Sequence, residues 1–226
     1  MYRFFPLAPL ILVTACAGAR TADKESGILQ DFQPDTRPVG KTLVYECTDG
    51  EFISRVGPGE MALWLEDRYV VLPQVRSASG TKYVEGDITY WSKGEEVLLE
   101  VAGRRYQDCT LNPARAPWED ARRRGVDFRA VGNEPGWYLE IRSDERMLFV
   151  GDYGSTRVLL DKPSLVIEQG GRVYAASEGD DQISVTISDS FCTDSMKGDQ
   201  FPFTVQLNHN GRLYQGCGRD LDYPWE

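Results

Sequence analysis

The chain has 226 residues, of which 35 are Asp or Glu and 25 are Lys or Arg, so its formal net charge is −10. Counterion release from phosphate needs an excess of cations, so this charge excludes a general nucleic-acid binder and allows a basic protein as partner. Hydrophobic residues make up 41% of the chain, enough for a globular core. The single histidine, His209, excludes a multi-histidine metal site.

The N-terminal segment is typical of an export signal. Met1 to Ala15 carries Arg3, then an apolar run and small residues, and it is shorter than the roughly 20 apolar residues of a membrane span. Val13-Thr14-Ala15-Cys16 resembles a bacterial lipobox, which implies that Cys16 carries acyl chains and anchors the protein to a membrane. Ala17 then favours the outer membrane and the periplasm. The alternative is an ordinary signal peptide with a free Cys16.

Cysteine counting is consistent with an exported protein. If Cys16 is lipidated, four cysteines remain, and in an oxidising compartment they allow three pairings. Proximity along the chain favours Cys47–Cys109 and Cys192–Cys217, one bond in each half. A zinc site lacks any C-x-x-C pair or histidine partner.

After a polar tether at residues 16–37, the pattern of residues 38–112 predicts an antiparallel β-barrel or sandwich. Short runs rich in Val, Leu, Tyr and Trp alternate with turn residues. Eight strands are predicted, at residues 42–47, 51–56, 61–65, 69–75, 82–85, 88–91, 97–101 and 105–109.

Residues 113–125 contain two prolines and the run Arg122-Arg123-Arg124, and we interpret them as a linker. The arginines either touch anionic lipid or, the preferred interpretation, form a solvated charged face. Residues 126–226 predict a second, mostly β domain, with a hairpin at Asn210-Gly211, and the sequence allows a helix only around Phe191 to Met196. Its predicted strands are residues 137–141, 147–150, 157–160, 165–168, 172–175, 183–187, 204–207 and 212–216.

Several motifs of the first domain occur in a characteristic order. They are Tyr45-Glu46-Cys47, Ser79-Gly80-Thr81-Lys82-Tyr83, Ser92-Lys93-Gly94 and Cys109. In this order they resemble the MliC/PliC family of C-type lysozyme inhibitors, which are eight-stranded β-barrels with an S-G-x-x-Y loop and a later T-K-G loop. The resemblance covers residues 42–109, and Ser92 stands where the family usually has Thr.

The resemblance implies that two loops occupy the catalytic cleft of a C-type lysozyme. Ser79 and Lys93 then approach the two catalytic carboxylates, and Ser92 lies beside Lys93. Gly80 and Gly94 permit tight turns, while Tyr83 supports the first loop. Taken singly, each of these residues is typical of an ordinary β-turn or of packing in the core.

Two other function classes stay open. The barrel could be a non-inhibitory module that binds peptidoglycan or another envelope protein. The second domain contains Phe128-Arg129-Ala130-Val131-Gly132-Asn133-Glu134-Pro135-Gly136-Trp137, Cys192-Thr193-Asp194-Ser195-Met196 with Phe201-Pro202-Phe203, and Gly216-Cys217-Gly218. In these segments it resembles a family of uncharacterised bacterial envelope-lipoprotein domains. Glu134, Asp194 and Asp199 are either solvated loop acids, the preferred interpretation, or a ligand or metal cluster. An enzyme using Glu134 and Asp194 is the third hypothesis. No G-x-S-x-G or H-E-x-x-H motif is present, and His209 lies at a hairpin tip, where we expect it to face solvent. We therefore expect neither catalytic residues nor a cofactor.

Overall fold

Residue 1 and residues 40–143 and 145–221 are described by a computed structural model, and they form two curled antiparallel sheets in two domains. The prediction of an all-β fold is confirmed. The rest of the predicted signal peptide, Cys16 and the tether lie outside the described residues. None of the helices in the described ranges combines the length and the apolar character that crossing a bilayer requires.

The N-terminal sheet is a meander of strands β1 to β9. Its strands are β1 Lys41–Cys47, β2 Gly50–Val56, β3 Glu60–Trp64, β4 Tyr69–Val75, β5 Thr81–Glu85, β6 Ile88–Lys93, β7 Glu96–Val101, β8 Arg104–Arg105 and β9 Thr110–Leu111. They lie in the order β8-β7-β6-β5-β4-β3-β2-β1-β9. Almost every pair of neighbours in this sheet is joined by a short turn.

The sheet has nine strands where the sequence predicted eight, because the last predicted strand is divided. Residues 104–105 pair with β7, whereas residues 110–111 pair with β1 at the opposite edge. Asp108 between them has a φ of 52°, which a continuous strand does not accommodate. Only four residues separate β8 from β9, so the two edges of the sheet approach each other and the sheet curls. Cys109 in this connection is bonded to Cys47.

Alternating side chains of the N-terminal sheet form its core. In β3, Met61 and Leu63 are fully buried while their neighbours are partly exposed, as the two-residue period of a strand requires. The core also contains Tyr83 and Tyr90, and burial raises the pKa of both phenols. The complete buried cluster is Tyr45, Phe52, Met61, Leu63, Leu72, Tyr83, Ile88, Tyr90, Leu99 and Val101.

The C-terminal sheet joins the first and last strands of its domain. Its main strands are β10 Phe128–Asn133, β11 Gly136–Arg142, β12 Arg146–Gly151, β13 Thr156–Asp161, β14 Ser164–Glu168, β15 Gly171–Glu178, β16 Asp181–Ser188, β19 Phe203–His209 and β20 Arg212–Asp220. A short pair, β17 Cys192–Thr193 and β18 Gln200–Phe201, lies apart, and a 3-10 turn spans Asp152–Gly154. The sheet order is β13-β12-β11-β10-β20-β19-β16-β15-β14, so β10 pairs with β20.

One local prediction for this domain is wrong, and one is confirmed. Around Phe191 to Met196, where the sequence allowed a helix, the structure contains β17 and a turn in which Asp194 accepts backbone N–H bonds. His209 is not solvent-facing, because its ring packs near Phe149 and its Nε2 lies 2.8 Å from Asp181 Oδ1. The hairpin at Asn210-Gly211 is present, with both residues at positive φ.

A helix, α1 Ala116–Arg123, lies in the segment that we interpreted from the sequence as a linker. Pro117 lies in the first turn, where its missing N–H removes no helical hydrogen bond. Trp118 and Ala121 pack against Leu148 and Val150 on the outer face of β12. The helix therefore depends on burial against the C-terminal sheet, which no local pattern shows.

Arg123 and Arg124 are largely buried and paired, so the interpretation of the basic run as a solvated charged face is wrong for these two residues, whereas the Arg122 side chain is 37% exposed. Arg124 is 9% exposed and donates two hydrogen bonds to Glu140, at 2.8 and 2.9 Å. The guanidinium of Arg123 lies 4.2 Å from the ring centroid of Trp64 in the N-terminal sheet, and burial lowers its pKa to about 10. Asp120 accepts a hydrogen bond from Thr42 of β1 (2.8 Å). The helix thus contacts both sheets through buried or partly buried polar groups.

Candidate functional site

Two loops at one end of the N-terminal sheet contain the predicted contact residues. We call residues 76–80, between β4 and β5, the serine loop, and residues 93–95, at the turn between β6 and β7, the lysine loop. Strands β5 and β6 pair directly, with Thr81 opposite Ser92. This register places the end of the serine loop beside the start of the lysine loop.

The serine loop packs against the backbone of β6. A Cβ atom at Gly80 would overlap the carbonyl oxygen of Ser92 and would lie 3.1 Å from the Cβ of Lys93. Gly80 also has a φ of 67°, where a side chain is strained. Glycine is therefore required at residue 80 both by its positive φ and by the close approach of the Ser92 backbone. The sequence did not show this close approach.

A tryptophan side chain of β6 binds the serine loop. The Nε1–H of Trp91 donates a hydrogen bond to the carbonyl oxygen of Ser79 (2.8 Å), and the Ser77 hydroxyl donates to the carbonyl oxygen of Gly80 (2.9 Å). Sequence reasoning assigned Trp91 only to packing. The available signal was strand alternation: Tyr90 faces the core, so Trp91 must face outward on the same side as the loop.

Ser79 and Lys93 are both exposed. Within the described part of the chain, neither the Ser79 hydroxyl nor the Lys93 ammonium group makes a hydrogen bond or an ion pair. A free ammonium group and a free hydroxyl on adjacent, mutually packed loops can bind carboxylates of a partner without breaking an internal contact. The packed backbone fixes the positions of Ser79 and Lys93, and their side chains remain available to bind a partner.

The other predicted site residues have supporting positions. Ser92 is partly buried in β6 and its backbone contacts Gly80. Gly94 has a φ of 63° in the β6–β7 turn, and a Cβ there would meet nothing within 4 Å. Tyr83 is 2% exposed and belongs to the core. Gly94 is therefore needed for backbone conformation alone, and Tyr83 is a core residue of β5.

Among the described residues of the C-terminal domain, Asp194 is held by hydrogen bonds within the protein. No group of three or more His, Cys, Asp or Glu side chains among the described residues is arranged to hold a metal ion. Asp194 Oδ1 accepts the backbone N–H groups of Met196 and Lys197, and Oδ2 accepts from Asn133 at 2.8 Å. Partial burial opposes ionisation of Asp194, but these hydrogen bonds outweigh it and lower its pKa below 3.8.

Both predicted disulfides are present in the structure. Cys47 is bonded to Cys109, and Cys192 is bonded to Cys217. The first bond ties the start of the N-terminal sheet to its last connection, and the second holds β17 against β20.

Comparisons with known proteins concern the N-terminal sheet. Residues 45–108 match the family model described as membrane-bound lysozyme-inhibitor of c-type lysozyme (MliC). A curated relative from Yersinia enterocolitica, the membrane-bound lysozyme inhibitor of C-type lysozyme, is 36% identical over 66 residues. That match covers 28% of this chain and 56% of the relative, so the chain spans about half the length of the relative. No solved structure matches the chain. The match contains both loops, and the resemblance to this family is confirmed.

Proposed function

Starting from the MliC domain at residues 45–108, we propose that the protein inhibits C-type lysozyme by placing the serine and lysine loops in the catalytic cleft. The observation that carries the proposal is the packing of Gly80 against the Ser92–Lys93 backbone, together with the hydrogen bond from Trp91 to Ser79. These contacts hold the two loops as one protruding unit.

The proposed inhibition neutralises the enzyme's acids and involves no chemical step. Glycosidases of this kind use two carboxyl groups, one protonated as general acid and one ionised. The Lys93 ammonium group pairs with the ionised carboxylate and lowers the pKa of the other, which removes the acid form. The Ser79 hydroxyl both donates and accepts, so it matches a carboxyl pair of mixed protonation.

Electrostatics and anchoring complete the proposal. The net charge of −10 attracts a basic lysozyme and speeds encounter at low salt. Acyl chains on Cys16 hold the protein at the outer membrane on its periplasmic side, with residues 16–37 as tether. There the inhibitor protects peptidoglycan from a host muramidase. The name of the curated relative, which is membrane-bound, supports a membrane location.

The decisive experiment is a lysozyme turbidity assay with soluble protein that starts after Cys16. We expect the wild type to stop lysis stoichiometrically. Truncating a hot-spot residue typically costs about 2 kcal/mol, so Lys93→Ala should weaken inhibition at least about thirtyfold, and Lys93→Ala with Ser79→Ala should weaken it further.

Lys82→Ala is the matched control, because Lys82 is a nearby lysine of β5 that lies outside both loops. It should change the inhibition constant by less than about threefold, since a peripheral charge contributes little. Absence of protection by the wild type, or equal effects of Lys82→Ala and Lys93→Ala, would contradict the proposal. Capture of the protein by cell-wall sacculi but not by lysozyme would instead favour the peptidoglycan-binding alternative.

A further inference from the structure

The C-terminal sheet has an open groove of about 510 Å³ on its outer face. Its floor is formed by side chains of β16, β19 and β20, and one wall is formed by residues 192–195. This groove lies outside the MliC domain, and the proposed inhibition does not use it.

A row of three polar side chains crosses the floor. Thr186 lies opposite Gln206, and Gln206 lies opposite Gln215, on three adjacent strands. Neighbouring strands are about 4.8 Å apart, so the row offers hydroxyl and amide groups at short, regular intervals. All three residues are exposed, and their side chains make no hydrogen bond within the described part of the chain.

The wall of the groove is held rigidly. The disulfide between Cys192 and Cys217 joins the wall to the floor. Asn133 donates hydrogen bonds to Asp194 (2.8 Å) and to the Ser195 hydroxyl (3.1 Å). A site with fixed walls loses little conformational entropy when a ligand binds.

The lining excludes several ligand classes. None of the described residues that line the groove is Lys or Arg, and its single acid, Asp194, is already satisfied by hydrogen bonds, so the groove does not suit an anion. The floor strands lie inside the sheet, where their backbone groups pair with each other. On the floor, a peptide therefore finds no free strand edge to extend, and such edge pairing is the usual mode of extended-peptide capture.

The remaining ligand class is rich in neutral hydroxyl groups. Hydroxyl and amide side chains can both donate to and accept from sugar hydroxyls. From the polar floor and the fixed wall, we infer that the groove binds a neutral oligosaccharide.

The test is calorimetric titration of the full chain in a detergent without a sugar headgroup, and with no lysozyme present. The probes are chitotetraose, maltotetraose and cellotetraose, with a neutral tetrapeptide as comparison. We expect saturable binding of at least one sugar. The Gln206→Ala/Gln215→Ala variant, which removes two amides, should weaken it tenfold or more.

Ser184→Ala is the matched control, since Ser184 also points outward from β16 but does not line the groove. It should leave sugar affinity unchanged, and all variants should inhibit lysozyme like the wild type. The inference is overturned by no binding of any of the three sugars, by unchanged sugar affinity in the Gln206→Ala/Gln215→Ala variant, or by binding of the tetrapeptide alone. Because the proposed inhibition is read in a separate assay, its failure and the failure of this inference are distinguishable.

Discussion

The N-terminal and C-terminal sheets have the same antiparallel architecture, but they present polar side chains to partners from different places. In the N-terminal sheet the candidate contact residues, Ser79 and Lys93, lie on hairpin loops that project from the end of the sheet. In the C-terminal sheet the free polar side chains lie on the face of the strands, beside a wall anchored by Cys192. Projecting loops suit insertion into another protein's cleft, whereas a walled face suits reception of a ligand.

The two sheets also differ in how the chain closes them. The N-terminal sheet is a meander whose closest pairings are mostly local, apart from β1 with β9. The C-terminal sheet needs the pairing of β10 with β20, about 90 residues apart, and its strand β12 is buried on both faces. Long-range pairings carry a larger entropic cost before they form, so the C-terminal sheet depends more on specific tertiary contacts.

The largest expected effect comes from removing each disulfide in turn. The Cys47–Cys109 bond spans 62 residues and the Cys192–Cys217 bond spans 25. In the chain-entropy model, Cys47→Ser/Cys109→Ser should lower the free energy of unfolding by about 4 kcal/mol and Cys192→Ser/Cys217→Ser by about 3.5 kcal/mol. Urea denaturation measures both. A smaller loss for the first variant than for the second would contradict the loop-length account.

The next effect tests the buried contact between α1 and the C-terminal sheet. Glu140 is 1% exposed and binds both Arg124 and Arg129, so Glu140→Ala leaves two buried cations without this partner. We expect the free energy of unfolding to fall by at least about 3 kcal/mol.

The control for this contact is Glu51→Ala on the N-terminal side of α1. Glu51 is 47% exposed and pairs with Arg115 at 2.6 Å, so its removal should cost less than about 1 kcal/mol. Thermal unfolding followed by circular dichroism compares the two variants. Similar losses for Glu140→Ala and Glu51→Ala would show that α1 is held equally by both sheets.

A pair of glycine variants separates steric contact from backbone conformation in the two loops. Gly80→Ala and Gly94→Ala both place a side chain at positive φ, which costs about 1–2 kcal/mol. Only at Gly80 does the new Cβ also meet the Ser92 backbone. We therefore expect Gly80→Ala to weaken lysozyme inhibition at least about fivefold more than Gly94→Ala, since only it moves the loops apart. Equal inhibition constants for Gly80→Ala and Gly94→Ala would contradict a role for the packing between the loops.

The smallest effect is a pH dependence confined to the C-terminal domain. Hydrogen bonds hold the pKa of Asp194 below 3.8, so the ionised carboxylate stabilises the fold above pH 3.8, and this stabilisation is lost as the pH falls through the lower folded-state pKa. Asp194→Asn should lower the melting temperature at pH 7 and flatten its dependence on pH between 5 and about 2. If the melting temperature of Asp194→Asn falls with decreasing pH as steeply as that of the wild type, other carboxyl groups cause the acid sensitivity.

Much of the strand pattern was predictable, and α1 was not. The strand alternation around Met61 and Leu63 and the hairpin residues Asn210-Gly211 are local signals, and the structure contains the corresponding elements. The helix has two prolines near its start and a run of arginines, which read as a linker. The helix is stabilised by packing of Trp118 on the outer face of the C-terminal sheet and by the hydrogen bonds from Arg124 to Glu140. The partners of both contacts lie outside the helix segment, so no local pattern reveals them.

The amino-acid pattern alone predicts which residues alternate between core and surface, where the turns lie, and that Ser79 and Lys93 lie on turns. The packing of Gly80 on Ser92, the hydrogen bond from Trp91 to the serine loop, and the row formed by Thr186, Gln206 and Gln215 are visible only in the folded protein. This division arises because periodicity and turn chemistry act within a few residues. Which strands lie side by side, and in which register, is set by the free energy of burying the whole core.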